Sequence, residues 1–408
     1  MRPLARPSWD INHVLSYGQS YANGWEGLPL RTVAAVADAL MLGDSVRPWS
    51  ETAPAWQPVG GAAWRGLRET VQEHFGGPVL SPAQVAAQPA GAALLGETVL
   101  EAAVSTWGGL LRAEAALPAG AQLLASACGV GGRSIEALSR GGVPDLFNRL
   151  RDCVRAAKAL AAAQGRSYGI VAILLLQGEH NNFAMGGTAD GAAYLALMRR
   201  LYADIVADIV EGIAEQSEQP ALLTYQTGGL QASEQNSIPQ AQLDAALSLP
   251  GCFLAGPAYQ LPTGQDHPNG DGYAALGATF GRVLHHVVSR GADWLPLHPI
   301  SARREGATVR VAFYVPQPPL RWGRPFLRLA PAEVPDRGFV LDDADGQVPL
   351  AEVALAGGAE VRLVAARTLR GEVRVRYASA ASVGRGCLRD SAPDPAANWS
   401  CAFNLCVA

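Results

Sequence analysis

Ile170-Val171-Ala172-Ile173-Leu174-Leu175-Leu176 runs straight into Gln177-Gly178-Glu179-His180-Asn181-Asn182, and this stretch decides the fold. An unbroken apolar run has no polar face. A strand built from it must be covered on both sides, as the central strand of a parallel sheet is. The switch to polar and small residues marks the end of that strand. In open parallel sheets ligands gather outside the carboxyl ends of strands, so chemistry is sought there.

Working outward, shorter apolar runs at residues 11–17, 122–127, 221–226 and 252–256 join 169–176 as strands and alternate with amphipathic stretches. Between residues 194 and 213, Leu197, Leu201, Ile205, Ile209 and Ile213 recur at a spacing of four, one face of a helix. This alternation predicts an α/β unit with a central parallel sheet of five strands. Past residue 296 Pro and Gly become dense, and apolar residues alternate with arginines in Val361-Arg362-Leu363 and Val373-Arg374-Val375-Arg376-Tyr377. That is the pattern of strands with one face in a core. The expected division is residues 1–296, an α/β unit, and 297–408, an all-β, sandwich-like unit.

At 408 residues and 49% hydrophobic, the chain is long enough to bury two cores. Its net charge of -4 is interspersed, and no basic run interleaves with aromatics, which argues against a nucleic-acid partner. No apolar run reaches the about 18 residues of a membrane span. The segment Met1-Arg2-Pro3-Leu4-Ala5-Arg6-Pro7 lacks the apolar stretch of a secretion signal, so a cytoplasmic location is the default expectation. The six cysteines are too sparse for a disulfide scaffold and match no zinc spacing. Buried free thiols are expected, although Cys387, Cys401 and Cys406 lie near enough in sequence for one bridge.

Four strand ends carry the chemistry. The first is Tyr17-Gly18-Gln19-Ser20-Tyr21-Ala22-Asn23-Gly24, where Gly18 permits a tight turn and Ser20 reads either as a nucleophile or as a helix N-cap. The second, Ala127-Cys128-Gly129-Val130-Gly131-Gly132-Arg133-Ser134, is a Gly-rich turn able to bring backbone N–H groups to a ligand, or simply a tight turn. The third follows Leu176: Glu179 can orient a histidine, and Gln177, Asn181 or Asn182 can donate to an oxyanion, while His180 is the weaker choice of base. The fourth is Gln265-Asp266-His267-Pro268-Asn269-Gly270-Asp271-Gly272-Tyr273, where His267 sits in a loop rather than on an apolar face.

In order, GQSYANG (18–24), CGVGGRS (128–134), LQGEHN (176–181) and DHPNGDGY (266–273) resemble the four spaced blocks of the SGNH (GDSL-like) hydrolases, in particular the carbohydrate acetylesterase and sialate O-acetylesterase-like branch. The resemblance covers about residues 11–290. It implies a flavodoxin-like three-layer α/β/α fold with Ser20 as nucleophile and His267 as general base. It further implies an oxyanion hole from the Ser20 N–H and the Gly131-Gly132 turn, completed by Gln177 or Asn181. Glu179 matches the glutamate of the QGE block, and Gln19 and Arg133 flank the site. Two departures stand out. Many relatives place an Asp three residues before the histidine, where this chain has Gly264, so the acid is Glu179 or the adjacent Asp266, with Glu179 preferred. Arg133 stands where the related block has a small hydroxyl residue.

Gly43-Asp44-Ser45 spells the superfamily's usual first block literally, yet it follows a stretch, 33–42, read as helix, and the absence of a preceding strand favours Ser20. The expected function is a serine esterase removing acetyl or other small acyl groups from a small-molecule or glycan ester, with no metal or organic cofactor. The alternatives are a catalytically weakened glycan-binding protein on the same scaffold, or a lipase, thioesterase or acyltransferase. Trp322 and Trp399 read either as sugar-stacking residues or as core of the β-rich unit.

Overall fold

The computed structural model describes residues 2–89, 91–183 and 185–408. Strands β1 (Ile11–Gly18), β2 (Ala39–Leu42), β3 (Trp64–Gly66), β4 (Gln122–Ala127), β5 (Tyr168–Leu176), β6 (Ala221–Gln226) and β7 (Cys252–Pro257) form one sheet in the order β3-β2-β4-β1-β5-β6-β7. All neighbours run parallel except the antiparallel pair of β2 and β3. Helices that frame the sheet include α1 (Ser20–Asn23), α2 (Val99–Ala113), α3 (Asn148–Ala163), α4 (Gly191–Asp204), α5 (Ser237–Ser248) and α6 (Gly270–Leu284).

Every residue of β5 is buried, as its unbroken apolar run requires. Ile170, Ile173 and Leu175 face a core with Val154 of α3, Met198 of α4 and Ile238 of α5. Val171, Leu174 and Leu176 face the opposite core, with Trp107 of α2 and Phe280 of α6. The result is three layers, helix on sheet on helix. The apolar face read over 194–213 spans α4 and its π-helical continuation Ile205–Ala214, with Leu201, Ile205 and Ile209 buried and Leu197 and Ile213 packed at the edge.

The five expected strands are β1, β4, β5, β6 and β7, and their order, β4-β1-β5-β6-β7, is flavodoxin-like. The sheet nevertheless has seven strands, because β2 and β3 extend it beyond β4. Residues 33–42 do not form the expected helix. Alanine favours helix in isolation, but Ala39, Leu40 and Met41 pair with Leu123, Leu124 and Ala125 of β4. There Ala39 and Met41 bury on one face of the sheet and Leu40 and Leu42 on the other. Tertiary pairing overrides local preference. A strand therefore does precede Gly43-Asp44-Ser45, and the ground on which the sequence set that motif aside is removed.

The C-terminal strands are β8 (His298–Glu305), β9 (Thr308–Tyr314), β10 (Phe339–Asp343), β11 (Gly346–Val348), β12 (Leu350–Ala356), β13 (Glu360–Ala365), β14 (Arg374–Tyr377) and β15 (Phe403–Cys406). They form two antiparallel sheets, β8-β9-β13-β12 and β11-β10-β14-β15. Val309, Val311, Leu341, Leu363 and Val375 fill the core they share. Trp322 and Trp399 pack against that same core. Two buried amides tie this region to the α/β sheet. Gln226, at the end of β6, accepts from the Ala402 N–H at 2.6 Å and donates to its carbonyl at 2.9 Å. Asn236 Nδ2 donates to the carbonyls of Tyr377 at 2.9 Å and Phe403 at 3.3 Å. All six cysteines are free thiols, five buried and Cys406 exposed, so no bridge joins Cys387, Cys401 and Cys406.

Because β1 lies between β4 and β5, whose chain connections leave on opposite sides, a crevice opens at its carboxyl end. Gly18 lines it, pairing with Leu176 at φ +149°. A Cβ there would overlap the Leu176 carbonyl. Gly18→Ala is therefore expected to lower stability by on the order of 3 kcal/mol, measured by chemical denaturation, and a loss under about 0.5 kcal/mol would contradict the close approach.

Candidate active site

Ser20 opens α1 immediately beyond β1, and the preceding Gln19 N–H binds the Leu176 carbonyl at 2.9 Å, which fixes the turn. His267 arrives from the far end of the sheet on the loop before α6. That helix is capped by Asn269, whose Oδ1 accepts from the Gly272 N–H at 3.0 Å. The loop folds back on itself through a Gly264 N–H bond to the His267 carbonyl at 2.7 Å, and Gln231 Nε2 donates to the Asp266 carbonyl at 2.7 Å. Across 247 residues of sequence, Ser20 Oγ comes to 2.7 Å from His267 Nε2. With the hydroxyl donating to Nε2, the ring proton sits on Nδ1.

Burial pushes the His267 imidazole down to about 4, offset in part by the negative charge of Asp266. The ring is thus neutral at pH 7, the form that accepts a proton. Its Nδ1 is buried with no hydrogen-bond partner among the described residues. Facing it is Glu26, with Oε1 at 4.0 Å. The other oxygen of that carboxylate, Oε2, accepts from three successive backbone N–H groups of the histidine loop, Gln265 at 2.8 Å and Asp266 and His267 at 3.4 Å each. A Cβ placed on Gly264 would fall 2.5 Å from Glu26 Oε2. The carboxylate of Glu26 therefore occupies the space that a side chain three residues before the histidine would enter.

Neither expected acid meets the histidine. Glu179 is buried beneath the site, where its Oε1 accepts from the Tyr225 hydroxyl and, at 2.7 Å, from Thr227 Oγ1, and burial raises its carboxyl above the usual range. Tyr225 stacks on Tyr21 at 5.4 Å between centroids, and Tyr21 lies 5.6 Å from the His267 ring. Glu179 thus stands two aromatic rings away from the imidazole. Asp266 is exposed, its side chain without a hydrogen bond. Adjacent side chains on an extended loop diverge, so the residue next to His267 is badly placed to hold it.

The expected oxyanion donors are mostly engaged. The Gly131 N–H donates to Glu51 Oε1 at 2.6 Å, an oxygen that also accepts from Asn23 Nδ2 at 2.9 Å. Gln177 Nε2 donates to Asn181 Oδ1 at 2.7 Å and to the Arg133 carbonyl at 3.2 Å, while its Oε1 accepts from the Tyr194 hydroxyl at 2.7 Å. Asn181 Nδ2 binds Glu136 and the Thr188 carbonyl, each at 3.0 Å. Gln19 Oε1 accepts from the His180 N–H at 3.1 Å, and Gly132 is exposed at φ +61°. Among the described residues of the site, the Ser20 and Gly132 N–H groups and Gln19 Nε2 have no protein acceptor, and neither does the buried Arg133 Nε.

Ser45 is a structural residue. It is fully buried, donates to Gln72 Oε1 at 2.9 Å and accepts from Thr70 Oγ1 at 3.0 Å, with no histidine beside it. Sequence reasoning missed Glu26 and Glu51. Glu51 carries no local signal. Glu26 carries a faint one: it is the only acidic residue between Asp10 and Asp38, set between Gly24 and Gly27, and it adopts φ 61°, a strained conformation for a residue with a side chain.

No family model and no curated protein matches the chain. Among solved structures it is similar to a carbohydrate acetylesterase from Xanthomonas citri, with a TM-score of 0.59 and 16% identity, over 96% of this chain and 80% of that one. A protein from Arabidopsis thaliana gives a TM-score of 0.43 at 17% identity, over 67% of this chain and 97% of that one. NanS gives 0.40 at 15%, over 65% and 81%. At 16% identity the likeness to the first concerns the fold alone, an α/β sheet followed by antiparallel β sheets.

Since His267 is held neutral by burial, the unfolded chain binds a proton between pH 6.5 and about 4 that the folded chain does not, so this residue costs stability as pH falls through that window. An NMR titration of the His267 ring is expected to place its midpoint below 6.5, and a midpoint at or above 6.5 would contradict the buried, weakly paired imidazole.

Proposed function

We propose that the protein is a serine esterase that removes acetyl or other small acyl groups from carbohydrate hydroxyls. The observation that carries this reading is the 2.7 Å contact of Ser20 Oγ with a neutral, half-buried His267 at the switch point of the sheet. Ser20 Oγ attacks the ester carbonyl while His267 Nε2 takes its proton. The negative oxygen is met by the Ser20 and Gly132 N–H groups and the Gln19 amide, donors left free. His267 then returns the proton to the departing sugar hydroxyl, and a water activated by the same nitrogen releases acetate and restores the serine. No step in this sequence calls for a metal or an organic cofactor.

The role of acid falls to Glu26 in this reading. A short closing movement brings Oε1 from 4.0 Å into hydrogen-bonding range of Nδ1, where the carboxylate stabilises the imidazolium formed in each step. Gly264 supports the assignment: the residue that removes the usual acid also makes room for this one. The same substitution of carboxylates weighs against a scaffold that has lost catalysis, since the histidine still faces a carboxylate where Gly264 replaces the usual acid. Glu179 acts at a distance, through Tyr225 and Tyr21, as a positioning residue.

Hydrolysis of p-nitrophenyl acetate tests these roles. Ser20→Ala is expected to lose essentially all turnover and Ser45→Ala to retain it, while Glu26→Gln lowers kcat by on the order of 10³-fold and Glu179→Gln by on the order of tenfold. Full activity in Ser20→Ala, or equal losses at Glu26 and Glu179, would refute the assignment.

We also propose the division into residues 1–296, which hold Ser20, Glu26 and His267, and an accessory unit, 297–408, that buttresses the histidine loop. Support comes from Arg328, whose guanidinium donates to the carbonyls of Gly264 at 3.2 Å and Gln265 at 3.3 Å. Removing residues 297–408 would strand the buried amides of Gln226 and Asn236, at about 1–3 kcal/mol each. The truncated chain is expected to melt well below the full one and to hydrolyse p-nitrophenyl acetate poorly. Unchanged melting and activity would make the unit a mere appendage.

A further inference from the structure

A ladder of aromatic rings leads out of the site to solvent. The Trp25 indole lies 6.1 Å from the His267 ring, centroid to centroid. Its edge meets His74 at 3.9 Å, and His74 stacks on Phe75 at 4.1 Å with an interplanar angle of 23°. Phe75 is 70% exposed. Burial lowers His74 below the ordinary histidine value, so at neutral pH the ladder is an uncharged surface.

The rings are held by backbone pairing rather than by packing in a core. Trp25 bridges to Leu95, and the His74 N–H binds the Ala93 carbonyl at 3.1 Å. The Phe75 carbonyl accepts from the Glu51 N–H at 3.1 Å, and it is the Glu51 carboxylate that holds the Gly131 N–H. The backbone that carries the exposed ring is thus linked through Glu51 to the Gly-rich turn. Trp49, 48% exposed, lies on the neighbouring segment, whose carbonyl accepts from the Gly77 N–H at 2.5 Å. Keeping a large aromatic in water has no folding advantage, and a patch of them continuous with a site marks a ligand surface.

Resting on the proposed esterase function, we infer that Phe75, with His74 behind it, is a stacking face for a sugar residue of the substrate other than the one bearing the ester. A pyranose presents a face of C–H bonds with partial positive charge, which an aromatic face attracts, whereas its hydroxyls remain in water. The Trp25 and His74 rings stand between Phe75 and His267 along the ladder, which sets a sugar on Phe75 apart from the one whose acyl group is attacked. The substrate class is therefore an acylated oligosaccharide or polysaccharide, not an acylated monosaccharide.

Acetylated cellotetraose and acetylated glucose serve as probes. The unmodified protein is expected to favour the tetraose in kcat/KM by about tenfold, the scale of one aromatic stack. Phe75→Ala should erase that preference through KM and leave p-nitrophenyl acetate hydrolysis within about twofold. Phe75→Tyr, which keeps the ring, should retain the preference. On a Ser20→Ala background, calorimetric affinity for the tetraose should fall about tenfold when Phe75→Ala is added. Equal use of both probes by the unmodified protein, unchanged affinity on adding Phe75→Ala, or a loss confined to self-association or to binding of lipid vesicles would overturn the inference. Absence of hydrolysis of every ester would instead refute the esterase reading, and the affinity measurement would still decide the stacking face.

Discussion

Glu26 grips the histidine loop by three successive N–H groups, and the geometry of the site depends on this one carboxylate. Backbone donors that leave water need acceptors, and a charged acceptor gives stronger bonds than a neutral one even at a half-exposed loop. The grip comes from a residue six positions beyond the serine, so nucleophile and base are referenced to the same short segment of chain. Holding Glu26 there requires φ 61°, a conformation that costs energy in a residue with a Cβ. Gly24, at φ 72°, and Gly27 on either side allow the backbone to reach it.

A second carboxylate organises the opposite wall. Glu51 holds the Gly131 N–H and Asn23, and buried Arg149 fixes its segment by donating to the carbonyls of Ser50, Glu51 and Ala53 at 3.3, 3.1 and 2.9 Å. Burial raises the Glu51 carboxyl above the usual range, and the N–H bonds it accepts work against that rise. The consequence for chemistry is that the Gly-rich turn is anchored at Gly131 and its most obvious donor is spoken for. Under the proposed function, oxyanion stabilisation then rests on groups nearer the serine, where the turn between β1 and α1 leaves N–H groups unpaired.

What the sequence made legible follows from what is local. The run 170–176 announced a strand buried on both faces because that demand is met by composition alone. Ser20 and His267 were legible as polar residues at the ends of such runs. Residues 39–42 were not, because four residues whose strand partners lie far along the chain, in β3 and β4, carry no period long enough to outweigh alanine's helical preference. The carboxylate proposed as the acid was illegible for the same reason. Glu26 meets His267 only through the folding back of a loop 241 residues away, and Gly264, which looks like a loss on its own, becomes intelligible once the incoming carboxylate is seen. Glu179 showed the converse error: a carboxylate at the right strand end, turned downward into Tyr225 and Thr227.

The central claim is that Ser20 is a nucleophile activated by His267 and that Glu26 holds the histidine. Reaction with a fluorophosphonate probe, followed by peptide mass spectrometry and timed in the unmodified protein and in Glu26→Gln, tests it most directly. The account predicts covalent modification of Ser20 and a rate lower by on the order of 100-fold or more in Glu26→Gln. Modification at Ser45 in place of Ser20, no modification at all, or an unchanged rate in Glu26→Gln would contradict it.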